Sequence, residues 1–355
     1  MRTISGSVIS LAFAALAVAN AAGEVRWLET KYDFGLMKEA AGPKTGQARF
    51  VNTGTEAVNV LDAKPSCGCT GATYPQDPVM PGDTAVITFT YDPAGRPGRF
   101  DKSIKVRFDN GRREVIRIVG NVLGTPESLA QFYPVEAGSL RLSDSKLIAG
   151  TVTMGKSPSL FVNAYNTLND SVRVKAHTDA KGVKLKLSEN AAGPGDIVTL
   201  AVYFDTRAWG KPGPFDVPVT LGAEGEPGTE IRLVGEVVPV RRAPGSKDLE
   251  KAPVCVAAPP AIDLGIIGTA LVQCECVLLN EGKSVLNVGN VWAASPALKI
   301  KSYPEKLKPG KSGKLQMELD PAQLRGGAFR QEVKVATDDP VNPLLSVWVS
   351  GEIQR

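Results

Sequence analysis

Cys67-Gly68-Cys69 puts two thiols one residue apart. That spacing admits three chemistries. The pair can close a small disulfide, whose strain raises its reduction potential. As thiolates, the two sulfurs can clamp a soft ion such as Cu(I). Or they are small side chains in a tight turn, with Gly68 supplying an unusual backbone angle. Met80, near a later turn, is either a third soft ligand or packing. Cys274, Cys276 and Leu278 share the parity of one strand and point to one face. Same-face neighbours stand roughly 6–7 Å apart along a strand, too far for an easy bridge. Cys255 could bridge to one of the two in an exported protein. Otherwise all three are buried thiols. No His lies near them in sequence, which argues against a metal site.

Two further candidates fail on context. Gly150-Thr-Val-Thr-Met-Gly155-Lys156-Ser157 fits the P-loop expression letter for letter. A P-loop must lead into a helix whose N-terminus meets the phosphates. Here Pro158 and Leu160-Phe-Val162 lead into a strand. His177 is the only histidine, and no Ser elbow or Cys partner accompanies it. Neither a paired-His metal motif nor a dinucleotide fingerprint is present. The sequence points to no enzyme and no resident cofactor, with Cu(I) the alternative at Cys67 and Cys69.

The scaffold that must position these residues is written three times. Asn52, Asn166 and Asn280 each precede apolar pairs by six and eight positions: Val58/Val60, Val172/Val174 and Leu286/Val288. Each is followed by Pro-Gly, at Pro81, Pro194 and Pro309, and by an Asp eleven residues later, at Asp92, Asp205 and Asp320. Phe100, Phe215 and Phe329 come next. Val119-Gly-Asn-Val122, Val234-Gly-Glu-Val237 and Ser350-Gly-Glu-Ile353 close the copies. A fixed spacing repeated three times means three copies of one module.

Stretches such as Val86-Ile-Thr-Phe-Thr-Tyr91 and Leu345-Ser-Val-Trp-Val349 alternate apolar and polar residues, which predicts half-buried antiparallel strands. With turn signals every ten residues or so, this is an all-β chain: three tandem immunoglobulin-like antiparallel sandwiches at 24–123, 138–240 and 253–355. Phe50, Val58, Val60, Phe89 and Ile118 should face inward in the first module. Leu278, Leu286, Val288 and Leu319 are their counterparts in the third. Thr125 and Pro126 predict a helical turn in the first linker. The second, Val240 to Ala252, is polar with Pro and Gly and is expected to flex.

Met1-Arg2, an apolar run from Val8 to Ala19 and the small-x-small Ala19-Asn20-Ala21 read as a signal peptide over 1–21. The run is too short to span a bilayer, so a periplasmic or extracellular protein without a transmembrane span is expected. The net charge of +4, from 41 basic and 37 acidic residues, is a mixed surface and argues against nucleic-acid binding. The lysines at 299, 301, 306, 308, 311 and 314 read as a solvated face.

Phe50-Val-Asn-Thr-Gly54, Pro65-Ser-Cys-Gly-Cys-Thr70, Pro81-Gly82, Tyr91-Asp-Pro93 and Arg96-Pro-Gly-Arg-Phe100 resemble a bacterial family of exported proteins of unknown function. Its domains are similar to the ASPM–Hydin (ASH) and major-sperm-protein class of immunoglobulin-like sandwiches. Thr337-Asp-Asp-Pro-Val-Asn-Pro343 is a further mark of that class. The resemblance implies a seven- or eight-stranded sandwich without a known enzymatic activity. The expected function is therefore an exported adaptor or binding protein with a protein partner. A thiol-redox or Cu(I)-binding protein using Cys67 and Cys69 is the alternative.

Overall fold

The computed structural model describes residues 24–242 and 247–354, so the expected export signal lies outside the described residues. Among the described residues there are six sheets, two for each repeat of the sequence. The first repeat holds β1 (Val25–Trp27), β2 (Lys31–Lys38), β3 (Lys44–Asn52), β4 (Val60–Pro65), β5 (Thr70–Thr73), β6 (Thr84–Tyr91), β7 (Gly98–Phe108) and β8 (Arg113–Leu123). One sheet runs β1-β3-β6-β5 and faces a second, β2-β8-β7-β4. This is the immunoglobulin arrangement with its first strand split between the sheets. Alternation along β6 buries Ala85, Ile87, Phe89 and Tyr91 between them. The core residues expected from sequence are all buried there, and their counterparts in the third repeat are too.

The antiparallel expectation has one exception per copy. β2 runs parallel to β8, as Lys146–Thr153 does to Thr229–Val238 and Ala261–Ile267 to Leu344–Ile353. The chain crosses between sheets after its first strand, so the second half meets the last strand in the same direction. A register shift interrupts each parallel pair at Gly35, Gly150 or Gly265, whose φ values are 63°, 65° and 62°. Gly150, the first residue of the P-loop match, is thus a strand irregularity. A second strand, Ser159–Asn166, follows that match instead of a helix.

The repeated asparagines are fully buried and act as clasps. Asn52 Nδ2 donates to the carbonyls of Glu56 (2.7 Å) and Val79 (2.9 Å), while its Oδ1 accepts from Gly54 N–H (3.0 Å). Asn166 and Asn280 repeat the pattern with Asp170 and Ala192, and with Ser284 and Leu307. The repeated aspartates cap the next corner; Asp205 Oδ1 accepts from Arg207 and Ala208. Each repeated Phe lies directly opposite a closing Gly: Phe100 with Gly120, Phe215 with Gly235 and Phe329 with Gly351.

The chain divides into two compact units, Met1–Ser128 and Leu129–Arg355. Thr125 caps the helix Pro126–Phe132 by accepting from Ser128 N–H (3.3 Å). Inside the second unit the two sandwiches also touch directly, while part of the second linker, expected to flex, lies outside the described residues. Glu236 accepts from Lys334 Nζ (2.7 Å) and Trp292 Nε1 (2.9 Å), and Asn290 Nδ2 donates to the Pro212 carbonyl (3.0 Å). Linker composition carries no trace of these contacts, because they come from strand side chains.

Candidate functional site

Cys67 and Cys69 are joined as a disulfide in the corner between β4 and β5. Cys67 is partly exposed and Cys69 is buried. The corner is well held. Ser66 N–H donates to Ser103 O (2.8 Å), and Asp92 N–H donates to Cys69 O (2.9 Å). The buried Thr70 places its hydroxyl 3.6 Å from Cys67 Sγ and 3.8 Å from Cys69 Sγ. A bridge between residues two apart closes a very short loop. In the chain-entropy account such a loop stabilises by only about 1.6 kcal/mol. Stability therefore gives little reason for this disulfide.

The disulfide borders an open groove of about 370 Å³, whose other walls include Tyr91, Arg96, Arg99, Phe100 and Lys102. Tyr91 is fully buried and stacks on Phe100, with centroids 3.8 Å apart. Its hydroxyl has no hydrogen-bond partner. Burial, then the nearby Asp92, pushes the phenol above its ordinary pKa, against the opposing charge of Arg96. Arg96 is fixed by donating to the Asp92 and Ala94 carbonyls. Asp101, the one carboxylate in the lining, is engaged by Arg117, whose hydrogen bonds hold it below the usual range. The groove thus offers positive charge beside a sulfur–sulfur bond.

As disulfide sulfurs, Cys67 and Cys69 are not thiolate ligands; a Cu(I) clamp would require their reduction first. Met80 stays apart from them. It is 54% exposed beside the Pro81-Gly82 turn, at the start of β6, whereas Cys69 meets the end of β6. Seven strand rises of ~3.3 Å separate Thr84 from Tyr91, roughly 23 Å. Met80 is therefore neither a third ligand nor core packing. Among the described residues there is no cluster of three or more His, Cys, Asp or Glu arranged for a metal ion. His177 is exposed, 3.0 Å from Asp179. Lys301 and Lys314 of the lysine-rich stretch pair with Glu318 and Glu275 at the surface.

The bridge considered for Cys255 is not formed; Cys255, Cys274 and Cys276 are all free and buried. Cys255 lies opposite Asn280, four residues along the strand from Cys276. Its N–H donates to the buried Asp339 (3.0 Å), which gives the Asp-Asp-Pro motif a structural role. Burial, then Asp339, pushes the Cys255 thiol up to about 12, and burial pushes Cys276 up to about 11. Folded protein at pH 8 should therefore show no thiol reactive to an alkylating agent. Three should appear on denaturation, and five after reduction; a reactive thiol in the folded chain would contradict the buried arrangement. Above the ordinary thiol pKa the unfolded chain releases protons that the folded chain keeps. Stability should fall as pH rises from that value toward about 12.

The corner, its disulfide and the flanking turns all lie inside one matched segment. Residues 25–122 match the DUF1573 family, described as a protein of unknown function. No curated protein matches the chain. A solved Porphyromonas gingivalis W83 protein of unknown function is 18% identical, with 61% of this chain and 100% of that chain covered and a TM-score of 0.45. The ASH/PapD-like domain of human CEP192 is 13% identical, over 30% of this chain and 89% of that one, with a TM-score of 0.24. Cadherin domains 1–5 of protocadherin gamma B2 are 11% identical, over 92% and 59%, at 0.22. The DUF1573 match covers the copy that carries the Cys-Gly-Cys corner. Sequence reasoning found the two cysteines but missed Tyr91, Arg99 and Lys102. The available signal was comparison of the copies. Tyr91 stands where the others have Phe204 and Leu319, Arg99 where they have Pro214 and Ala328, and Lys102 where they have Val217 and Gln331.

Proposed function

We propose that this chain is an exported, non-catalytic binding protein, an adaptor whose immunoglobulin-like sandwiches act through protein–protein contacts. One observation carries the reading. The residues common to the copies are engaged in clasps, caps and packing. Five residues peculiar to the first copy, Cys67, Cys69, Tyr91, Arg99 and Lys102, line one open, basic groove. Corner loops on a rigid sandwich suit recognition. The groove sets no general acid beside a general base, so binding is the use it supports. No helix among the described residues is long and apolar enough to cross a membrane. The expected site of action is the periplasm or the cell exterior, following the signal-like N-terminus.

Lysine-directed cross-linking of the exported fraction, followed by mass spectrometry, should recover a discrete protein partner. Recovery of self-links alone would overturn the binding reading. The disulfide at the groove's rim favours a second reading, a thiol-redox protein. That reading predicts multiple turnovers of a dithiol substrate in the presence of a regenerating oxidant. A binding protein gives at most one equivalent.

A further inference from the structure

Cys67, Cys69, Tyr91, Arg99 and Lys102 come from three separate stretches of the first copy and are absent from both other copies at the matching positions, yet they line one groove. Fold alone does not require them, since two sandwiches of the same chain form without them. Their chemistry is also coherent. The disulfide is electrophilic at sulfur, and its neighbours Arg96, Arg99 and Lys102 are cations. Such a setting draws anionic groups and favours a thiolate over a thiol.

We propose that this groove captures its partner covalently, through a free thiol carried on an acidic segment of the partner protein. The proposal rests on the binding reading above and names the partner's chemistry. The partner thiolate attacks Sγ of Cys67, which belongs to the more exposed of the two cysteines. A partner–Cys67 S–S bond forms while the Cys67–Cys69 bond breaks, and the electron pair leaves on Sγ of Cys69. The proton given up by the partner thiol passes through solvent to Cys69. One thiol and one disulfide yield one disulfide and one thiol, so no outside oxidant or reductant enters. Return attack of Cys69 on Cys67 closes the short ring again and releases the partner. The Thr70 hydroxyl, within 3.8 Å of the leaving sulfur, supports the departing thiolate. The unpartnered Tyr91 hydroxyl is the donor that the other copies lack.

The test uses the full oxidised chain and two synthetic peptides, each with one Cys, one flanked by Asp and Glu and the other by Lys and Arg. Reactions are quenched with acid and mapped by mass spectrometry, and rates are compared per thiolate. The expected result is a one-to-one adduct on Cys67. The acidic peptide should react about 10-fold faster at low ionic strength, with the advantage shrinking in high salt. Arg99→Glu with Lys102→Glu should reverse the preference. Tyr91→Phe installs the residue found in the second copy, so folding should be kept; exchange with the acidic peptide should slow several-fold. An adduct on Cys69, equal rates for both peptides, or no adduct would each overturn the proposal. Failure of the binding reading has a different signature: no cross-linked partner, whether or not the peptides exchange.

Discussion

Asn52→Ala should destabilise the first sandwich by about 4 kcal/mol. The side chain is fully buried and makes three hydrogen bonds to backbone groups. Alanine leaves the Glu56 and Val79 carbonyls and the Gly54 N–H without those partners. Each buried group left unmatched costs about 1–3 kcal/mol, and partial exposure near Gly54 trims the sum. Asn52→Asp should not rescue, because a carboxylate has no N–H to give to the two carbonyls. Hydrogen exchange on the full chain is the suitable measurement, since more than one unfolding unit makes a single melting temperature ill-defined. Protection should fall across β3 and the Val58 turn and stay unchanged beyond Leu129. A loss below about 1 kcal/mol would show that the clasp is dispensable.

Gly235→Ala should cost the second sandwich about 3 kcal/mol. A Cβ there would sit 2.6 Å from Phe215 Cζ and 2.7 Å from the Gly150 carbonyl oxygen. Forcing extra volume into a packed site costs ~1–3 kcal/mol, and the upper end applies because one obstacle is backbone. Phe215→Leu in the same chain should recover only part of the loss, since it removes the ring contact and leaves the carbonyl. Full recovery would mean that the ring alone dictates glycine. In Gly120→Ala the carbonyl of Gly35 is further off, at 3.1 Å, and the ring of Phe100 is the nearer obstacle at 2.7 Å. Phe100→Leu should therefore rescue Gly120→Ala more completely. Loss of protection in the matching closing strand, by hydrogen exchange, reads out both series.

These two effects also show what the sequence could and could not say. Period-two alternation and the triple Asn, Pro-Gly, Asp and Phe spacing were enough to specify three sandwiches and their inward faces. Alternation is a local property and so survives in one dimension. The Phe and Gly landmarks were each visible, but their packing on one another depends on strand register, which is not local. The glycine of the parallel strand was harder still to see. Gly35, Gly150 and Gly265 precede their asparagines by 17, 16 and 15 residues, so no fixed spacing betrays them. Glu236 was recorded as part of a closing motif, but its bonds to Lys334 and Trp292 come from another sandwich. Whether Cys255 bridges or stays a buried thiol was left open, because pairing register, which sets it against Asn280, is invisible in a list of cysteines. The groove shows the same limit. Cys67 was conspicuous by type and spacing, whereas Tyr91 looked like any aromatic in a strand until β6 brought its end against Thr70.

The central claim is that what distinguishes the first copy is its binding surface. The most direct measurement is the map of lysines cross-linked to the partner in the exported fraction. Lys102, in the groove, and Lys64, on the adjoining β4, should dominate that map, and Arg99→Glu should reduce their yield. Cross-links confined to lysines of the second and third copies, with none at Lys102 or Lys64, would contradict the account.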